Sequence, residues 1–304
     1  MSFDVTILGC GSATPTSQRN PTAQVINALG RFFLVDCGEA TQIQMRKFKI
    51  RIQKINHIFI SHLHGDHYLG LTGFLSSLHL LGRTDPIHLY ANSGLKEIID
   101  TEFKHSETSL KYKIIWHFLS YEGKQLLFED KVLEIYSFPL NHRIPTCGFL
   151  FKEKPKPLSI IKEMVIKHNL TIEQIQEAKN GSDLILEDGS LLCNRELTRA
   201  NLPSKAYAYC SDTIYDEAIL PFISGVDLLY HETTFMEDMS KRAKETYHST
   251  SKDAAHIAQK AGVKQLLIGH YSARYRNIDA LLEEAISIFS NTLAAEEGKV
   301  YRVV

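Results

Sequence analysis

The chain has 304 residues, with 34 Lys+Arg against 35 Asp+Glu, a formal net charge of −1, 44% hydrophobic and 23% charged residues. These ordinary values exclude a disordered chain, and no apolar run approaches the roughly 18–20 residues that span a bilayer. The near-zero charge argues against indiscriminate, charge-driven nucleic-acid binding, and about 150 residues per domain makes the length fit one large domain or two medium ones.

The N-terminus runs straight into a strand-like pattern with no basic n-region, so secretion is not expected. Strand-like runs follow at Asp4–Leu8, Phe32–Asp36, His57–Ser61, Ile87–Ala91, Lys113–Leu119 and Val132–Phe138, alternating with helical patterns at 40–49, 68–81 and 95–104. From Lys152 to about Arg199 the alternation breaks: a KEKPKP stretch, a helical stretch over 159–180, and two short strand-like pieces around Asp188-Gly189. A strand pattern at 148–152 leads into this break, and strand patterns resume at 205–210, 226–231, 264–268 and 300–304, with helices expected over 251–262 and 277–291. Ser249-Thr250-Ser251 followed by Asp253 has the composition of a helix N-cap. The pattern predicts an α/β fold carrying an insertion at residues 152–199.

Two features point to chemistry. The five cysteines are odd in number and contain no CxxC pair, which reads as reduced thiols in a cytoplasmic protein. The 14 histidines exceed what packing requires, and four ligand-type side chains fall within Ser61-His62-Leu63-His64-Gly65-Asp66-His67. Nitrogen and oxygen donors at this spacing suit zinc. Further ligands are expected past strand ends, at His142, Asp212 and His270. The set supplies enough donors for two metal ions and a bridging carboxylate.

These positions resemble the metallo-β-lactamase superfamily. Leu8-Gly9-Cys10-Gly11-Ser12-Ala13 with Arg19-Asn20, Asp36-Cys37-Gly38-Glu39-Ala40-Thr41-Gln42, Tyr209-Cys210-Ser211-Asp212-Thr213, His231-Glu232-Thr233-Thr234-Phe235, His248-Ser249-Thr250 and His270-Tyr271-Ser272-Ala273-Arg274-Tyr275 make it similar to that superfamily's ribonuclease Z family. The resemblance implies a four-layer αββα sandwich, with residues 152–199 as a flexible RNA-gripping arm. It also implies an endoribonuclease that removes 3′ trailers from precursor tRNA, leaving a 3′-hydroxyl on the tRNA and a 5′-phosphate on the trailer. Two zinc ions per subunit, or Mn²⁺ or another divalent metal, are expected. One would be held by His62, His64 and His142, the other by Asp66, His67 and His270, with Asp212 bridging.

By the same resemblance Asp66 accepts the proton of the attacking water, and His248 protonates the leaving oxygen, oriented by Glu232. Arg19, Asn20, Ser272, Arg274, Lys154 and Lys156 are candidate RNA contacts. The family's Pro-x-Lys-x-Arg-Asn loop reads Pro15-Thr16-Ser17-Gln18-Arg19-Asn20, with Ser17 replacing the lysine, and the arm lacks the usual Gly-Pro-rich stretch. Residues 46–54 carry five basic side chains and no acidic one. A cytoplasmic homodimer with no membrane association is expected. The first metal motif would also serve a hydrolase of a small ester, thioester or phosphodiester, or a non-catalytic RNA-binding protein that kept the fold. The latter would be expected to have lost ligands, and here all seven positions are filled.

Overall fold

Strands that alternate apolar side chains on both faces must be covered on both, and the computed structural model, which describes residues 2–186 and 189–304, arranges them as two seven-stranded sheets with helices outside. The first sheet places Val300–Arg302, Phe3–Gly9, Ala23–Ala28, Arg31–Val35, Ile55–Phe59, Ile87–Ala91 and Ile114–Phe118 side by side, the last four running parallel. The second runs Thr292–Ala294, Gln265–Gly269, Leu228–Glu232, Ala206–Cys210, Thr146–Glu153, Leu133–Leu140 and Gln125–Glu129, the first four parallel.

Alternation decides what each face packs against. In the first sheet Leu34, Ile58, Ile60, Ile87, Leu89 and Ala91 join Met45, Phe74, Leu78, Leu95 and Ile99 of the covering helices in one apolar cluster. The opposite face carries aromatics that meet the second sheet: Phe33 on Phe151 with centroids 5.6 Å apart, and Phe59 on Phe149 at 5.4 Å. Helices Ser251–Ala261 and Asp279–Ile286 cover the second sheet. The expected αββα layering is therefore observed.

Boundaries differ where local pattern was weak. Ala23–Ala28, with polar Gln24 and Asn27, was not expected to be a strand; it forms because Leu29-Gly30, both with positive φ, close a two-residue hairpin onto Arg31–Val35. Gln125–Glu129 is likewise an unpredicted strand, paired antiparallel with Leu133–Leu140. The last helix covers Asp279–Ile286, shorter than the expected 277–291. The expected N-cap is present, with Thr250 and Asp253 forming a reciprocal capping box.

A second compact unit comprises Asp130–Val132 and Glu153–Ser204. The single helix expected over 159–180 is two, Lys162–His168 and Ile172–Lys179, because Asn169 turns left-handed at φ 48° and Thr171 starts a new capping box with Gln174. Its own small core contains Leu170, Ala178, Leu184, Leu192 and Leu197. The two short strands expected around Asp188-Gly189 are Leu184–Ile185 and Leu191–Leu192, paired antiparallel; Asp188 itself lies outside the described residues. Val132 joins this unit through the Lys154 N–H donating to its carbonyl at 2.9 Å, a pairing that no sequence pattern announces. Among the described residues no helix is long and apolar enough to cross a membrane.

Candidate metal centre

The carboxyl ends of parallel strands present loops to a common edge, the usual place for ligands in such sheets. Strand Ile55–Phe59 ends three residues before His62, two residues earlier than expected, so His62 and His64 stand on the segment after it and Asp66 and His67 on the short helix Gly65–Tyr68. His142 follows Leu133–Leu140, Asp212 follows Ala206–Cys210, and His270 follows Gln265–Gly269 with φ 60°. Ligand atoms of His62, His64, His142 and Asp212 all lie within 4.8 Å of one another; so do those of Asp66, His67 and His270. The structure thus gathers the seven expected ligands into two adjoining groups. Asp212 lies between them, with Oδ2 3.5 Å from His62 Nε2 and Oδ1 3.2 Å from His270 Nε2.

Four of the five ligand imidazoles are aimed by a hydrogen bond at the other nitrogen, as metal-binding histidines require. His67 Nδ1 donates to Asp36 Oδ2 at 2.8 Å, and His142 Nδ1 donates to the Tyr247 carbonyl at 2.8 Å. His62 Nδ1 is 3.0 Å from the Ser61 hydroxyl, and His270 Nδ1 is 3.0 Å from the Thr234 hydroxyl. His67 Nε2 is then a fully buried nitrogen with no hydrogen-bond partner, pointing at the other donors. A buried, aimed and unsatisfied lone pair is what a cation would complete, so these residues fit a metal.

Sequence reasoning quoted Asp36 within its motif but gave it no role. It is fully buried at φ 54° and accepts from Ser61 N–H at 2.8 Å, Ser61 Oγ at 3.0 Å and Tyr209 OH at 2.6 Å, besides His67. Gly38 nearby allows the close approach: a Cβ there would lie 2.5 Å from the Asp66 carbonyl oxygen. Ala13, at φ 60°, donates its N–H to Asp66 Oδ2 at 2.7 Å.

Beside the ligands stands His248, whose Nδ1 donates to Glu232 Oε1 at 2.9 Å. Glu232 is wholly buried and also accepts from the amides of Thr213 and Ser249, at 3.1 Å each, and from Thr234 N–H at 3.0 Å and hydroxyl at 2.7 Å. Burial opposes the charged form of His248, but Glu232 outweighs it and lifts the pKa to about 9. Burial also opposes ionisation of Glu232, which the His248 charge overcomes, holding its carboxyl below the ordinary range. Burial lowers His64 and His142 to about 4, leaving neutral imidazoles able to ligate. Burial works against charge on Asp66 too, yet His67 and His270 keep it well below the usual carboxylate value.

The expected RNA contacts are placed as follows. Arg19 donates through Nη2 to the Tyr275 carbonyl and, at 3.5 Å, to that of Ser272; Asn20 Nδ2 donates to Glu297 at 2.9 Å. Both side chains are thus engaged within the chain, Arg19 holding the loop after His270 and Asn20 bound to Glu297. Arg274 Nε donates to Ser272 Oγ at 3.2 Å, and its guanidinium lies 5.0 Å above the Phe235 ring. Lys156 pairs with Glu153 at 3.3 Å; it and Lys154 belong to the second unit. Arg46, Lys47, Lys49, Arg51 and Lys54 are exposed. Four of the five cysteines are buried, Cys193 is half-buried, and all are free.

Two ligand clusters at the edge of an αββα sandwich define the metallo-β-lactamase fold class. The chain is similar to the metallo-β-lactamase fold protein YhfI of Bacillus subtilis, with a TM-score of 0.69 over 99% of both chains at 20% identity. It resembles human tRNase Z, short form, with a TM-score of 0.73, 27% identity and 99% of both chains covered. It is also 46% identical over 296 residues to the ribonuclease Z of Bacteroides fragilis and 46% identical over 300 residues to that of Parabacteroides distasonis, covering 97% of each chain. Residues 3–200 match the family described as Anti-Pycsar protein Apyc1. The chain belongs to the ribonuclease Z family, and residues 3–200 fall within that described family as well.

Proposed function

We propose that the chain is a metal-dependent endoribonuclease that cuts the 3′ trailer from precursor tRNA, leaving a 3′-hydroxyl on the tRNA and a 5′-phosphate on the trailer. The observation that carries it is the convergence of two ligand clusters and a carboxylate-held imidazole in one cleft. His62, His64 and His142 would hold one Zn²⁺, Asp66, His67 and His270 the other, and Asp212 would join them. When bound, such a pair supplies a water acidic enough to ionise near neutral pH and neutralises charge on the scissile phosphate.

The remaining chemistry belongs to the chain's own side chains. Asp66, fixed through Oδ2 by the Ala13 amide, orients the attacking water and accepts its proton. His248 stays protonated near neutral pH because Glu232 stabilises the imidazolium, and it delivers a proton to the departing 3′-oxygen. Arg274 faces the substrate phosphates from the Ser272 loop, which Arg19 holds in place. Lys154 and Lys156 contact the tRNA body from the second unit. The site of action is the cytoplasm, in keeping with five unpaired cysteines. The working form is a homodimer, and exposed Ile43, Leu69, Leu80 and Leu81 provide apolar surface for it.

Elemental analysis of the purified protein tests the metal assignment. About two zinc ions per chain are expected, with cleavage lost on chelation and restored by Zn²⁺ or Mn²⁺. A content near or below one per chain contradicts it.

A further inference from the structure

A second cavity, of ≈540 Å³, adjoins the metal-type cleft: His142 lines it, and Arg143 lines both. Its volume lies within the roughly 300–1,000 Å³ of small-ligand sites. Its walls include the rings of Tyr121 and Phe222, and Phe222 is braced by stacking on Phe138 with centroids 5.5 Å apart and planes 19° apart. On the same wall Asn141 Nδ2 donates to Asp216 Oδ2 at 3.2 Å, and Asp216 Oδ1 accepts from Ala218 N–H at 2.9 Å. Both polar groups are therefore held in fixed orientations.

Arg143 differs from the other arginines near the site. Arg19 is hydrogen-bonded to backbone carbonyls and Arg274 to Ser272, whereas the Arg143 guanidinium is exposed and has no hydrogen-bond or ion-pair partner among the described residues. It follows His142, whose ring is pinned to the Tyr247 carbonyl, so its root is fixed while its head is free to turn toward either chamber.

We propose that this cavity is a nucleotide subsite, taking the base and ribose of an RNA residue flanking the scissile phosphate, with Arg143 as a substrate-binding residue on that nucleotide's phosphate. The proposal rests on the endoribonuclease reading above. Charge sets the direction of entry: the Asp216 carboxylate repels a phosphate and accepts from a base amino or imino group, so the base goes in and the phosphate stays at the Arg143 end. Aromatic walls accept any base face, which suits an enzyme acting on many precursors.

The test uses the full-length, metal-loaded protein and precursor tRNA made abasic at the nucleotide before or after the cut. With the wild-type chain, one of these two substrates should lose roughly tenfold or more in kcat/KM relative to the intact precursor. The position affected identifies which flanking residue occupies the subsite. In Phe222→Leu and Arg143→Gln, checked for wild-type metal content and melting temperature, cleavage of intact precursor should fall. The abasic penalty should shrink below about twofold in Phe222→Leu, because the stacking partner is already gone. Equal rates on all three substrates, or an undiminished penalty in Phe222→Leu, overturns the subsite. If wild-type cleaves no precursor, the endoribonuclease reading fails instead. Binding then decides the subsite independently: a 2′-O-methyl dinucleotide should bind Arg143→Gln about tenfold more weakly than wild-type, and equal affinity overturns it.

Discussion

His248 and Glu232 sit 16 residues apart in the chain, yet one hydrogen bond of 2.9 Å makes them a single proton-donating unit. Replacing His248 by Ala should lower kcat for precursor cleavage by about 10²–10⁴ while zinc content stays at the wild-type value. Loss of metal in that variant would show the imidazole to be a ligand instead. Glu232 has a wider task, because its oxygens accept from Thr213, Thr234, Ser249 and His248 and so tie together loops bearing Asp212, His248 and, through Thr234, His270. Glu232→Gln would set an amide donor against donors and should cost about 1–3 kcal/mol in urea unfolding, as well as slowing cleavage. An unchanged midpoint would mean that the network tolerates a neutral acceptor. At this scale legibility followed chain distance. The ligands at 62–67 are visible because four donor side chains crowd one short segment. Asp36 and Tyr209 were invisible as partners, since 173 residues separate them and only the fold joins their 2.6 Å hydrogen bond. Arg143 escaped because a lone arginine after a histidine has no pattern of its own.

Among elements, the first sheet uses histidine in a way that composition alone misread. Three of the 14 histidines form a stack across neighbouring strands: His57 on His88 with centroids 4.8 Å apart, and His88 on His117 at 5.2 Å. Tyr90 lies over His117 at 4.3 Å and binds His57 Nδ1 at 3.2 Å. The excess of histidine is therefore partly structural. Burial, aided by His88 and His117, lowers the pKa of His57 from 6.5 to about 4. The unfolded chain consequently binds a proton that the folded chain refuses. Stability is fully present above pH 6.5 and declines as pH falls toward about 4, by at most roughly 3 kcal/mol for this group. Urea titrations of His57→Phe should show a flatter acid limb over that window; an identical limb would place the loss elsewhere. The strands expected from β-rich apolar runs were found to within a few residues, whereas Ala23–Ala28 and Gln125–Glu129 formed through hairpin closure and pairing rather than through their own composition.

For the molecule as a whole, the balance of 34 basic and 35 acidic residues first argued against a nucleic-acid partner, and the structure shows why a sum misleads. Charge is local here: ligand residues and Arg143 line the first unit's cleft, Arg274 follows the ligand His270 by four residues, and Lys154, Lys156, Lys162 and Lys167 belong to the second unit. The layered fold was legible because βα alternation recurs along the chain. The composition of the second unit was not, since Asp130–Val132 joins it from far upstream. Deleting residues 156–196, with Pro155 joined to Leu197 by a short linker, should weaken precursor tRNA binding by tenfold or more, roughly the loss of a few phosphate contacts. Hydrolysis of bis(4-nitrophenyl) phosphate should persist; parallel loss of both would make the second unit structural. The central claim is tested most directly by incubating the zinc-loaded chain with a 3′-extended precursor tRNA and sequencing the ends. The account predicts one cut next to the discriminator base, a 3′-hydroxyl on the tRNA and a 5′-phosphate on the trailer. An intact precursor, or a trailer bearing a 5′-hydroxyl, would contradict it.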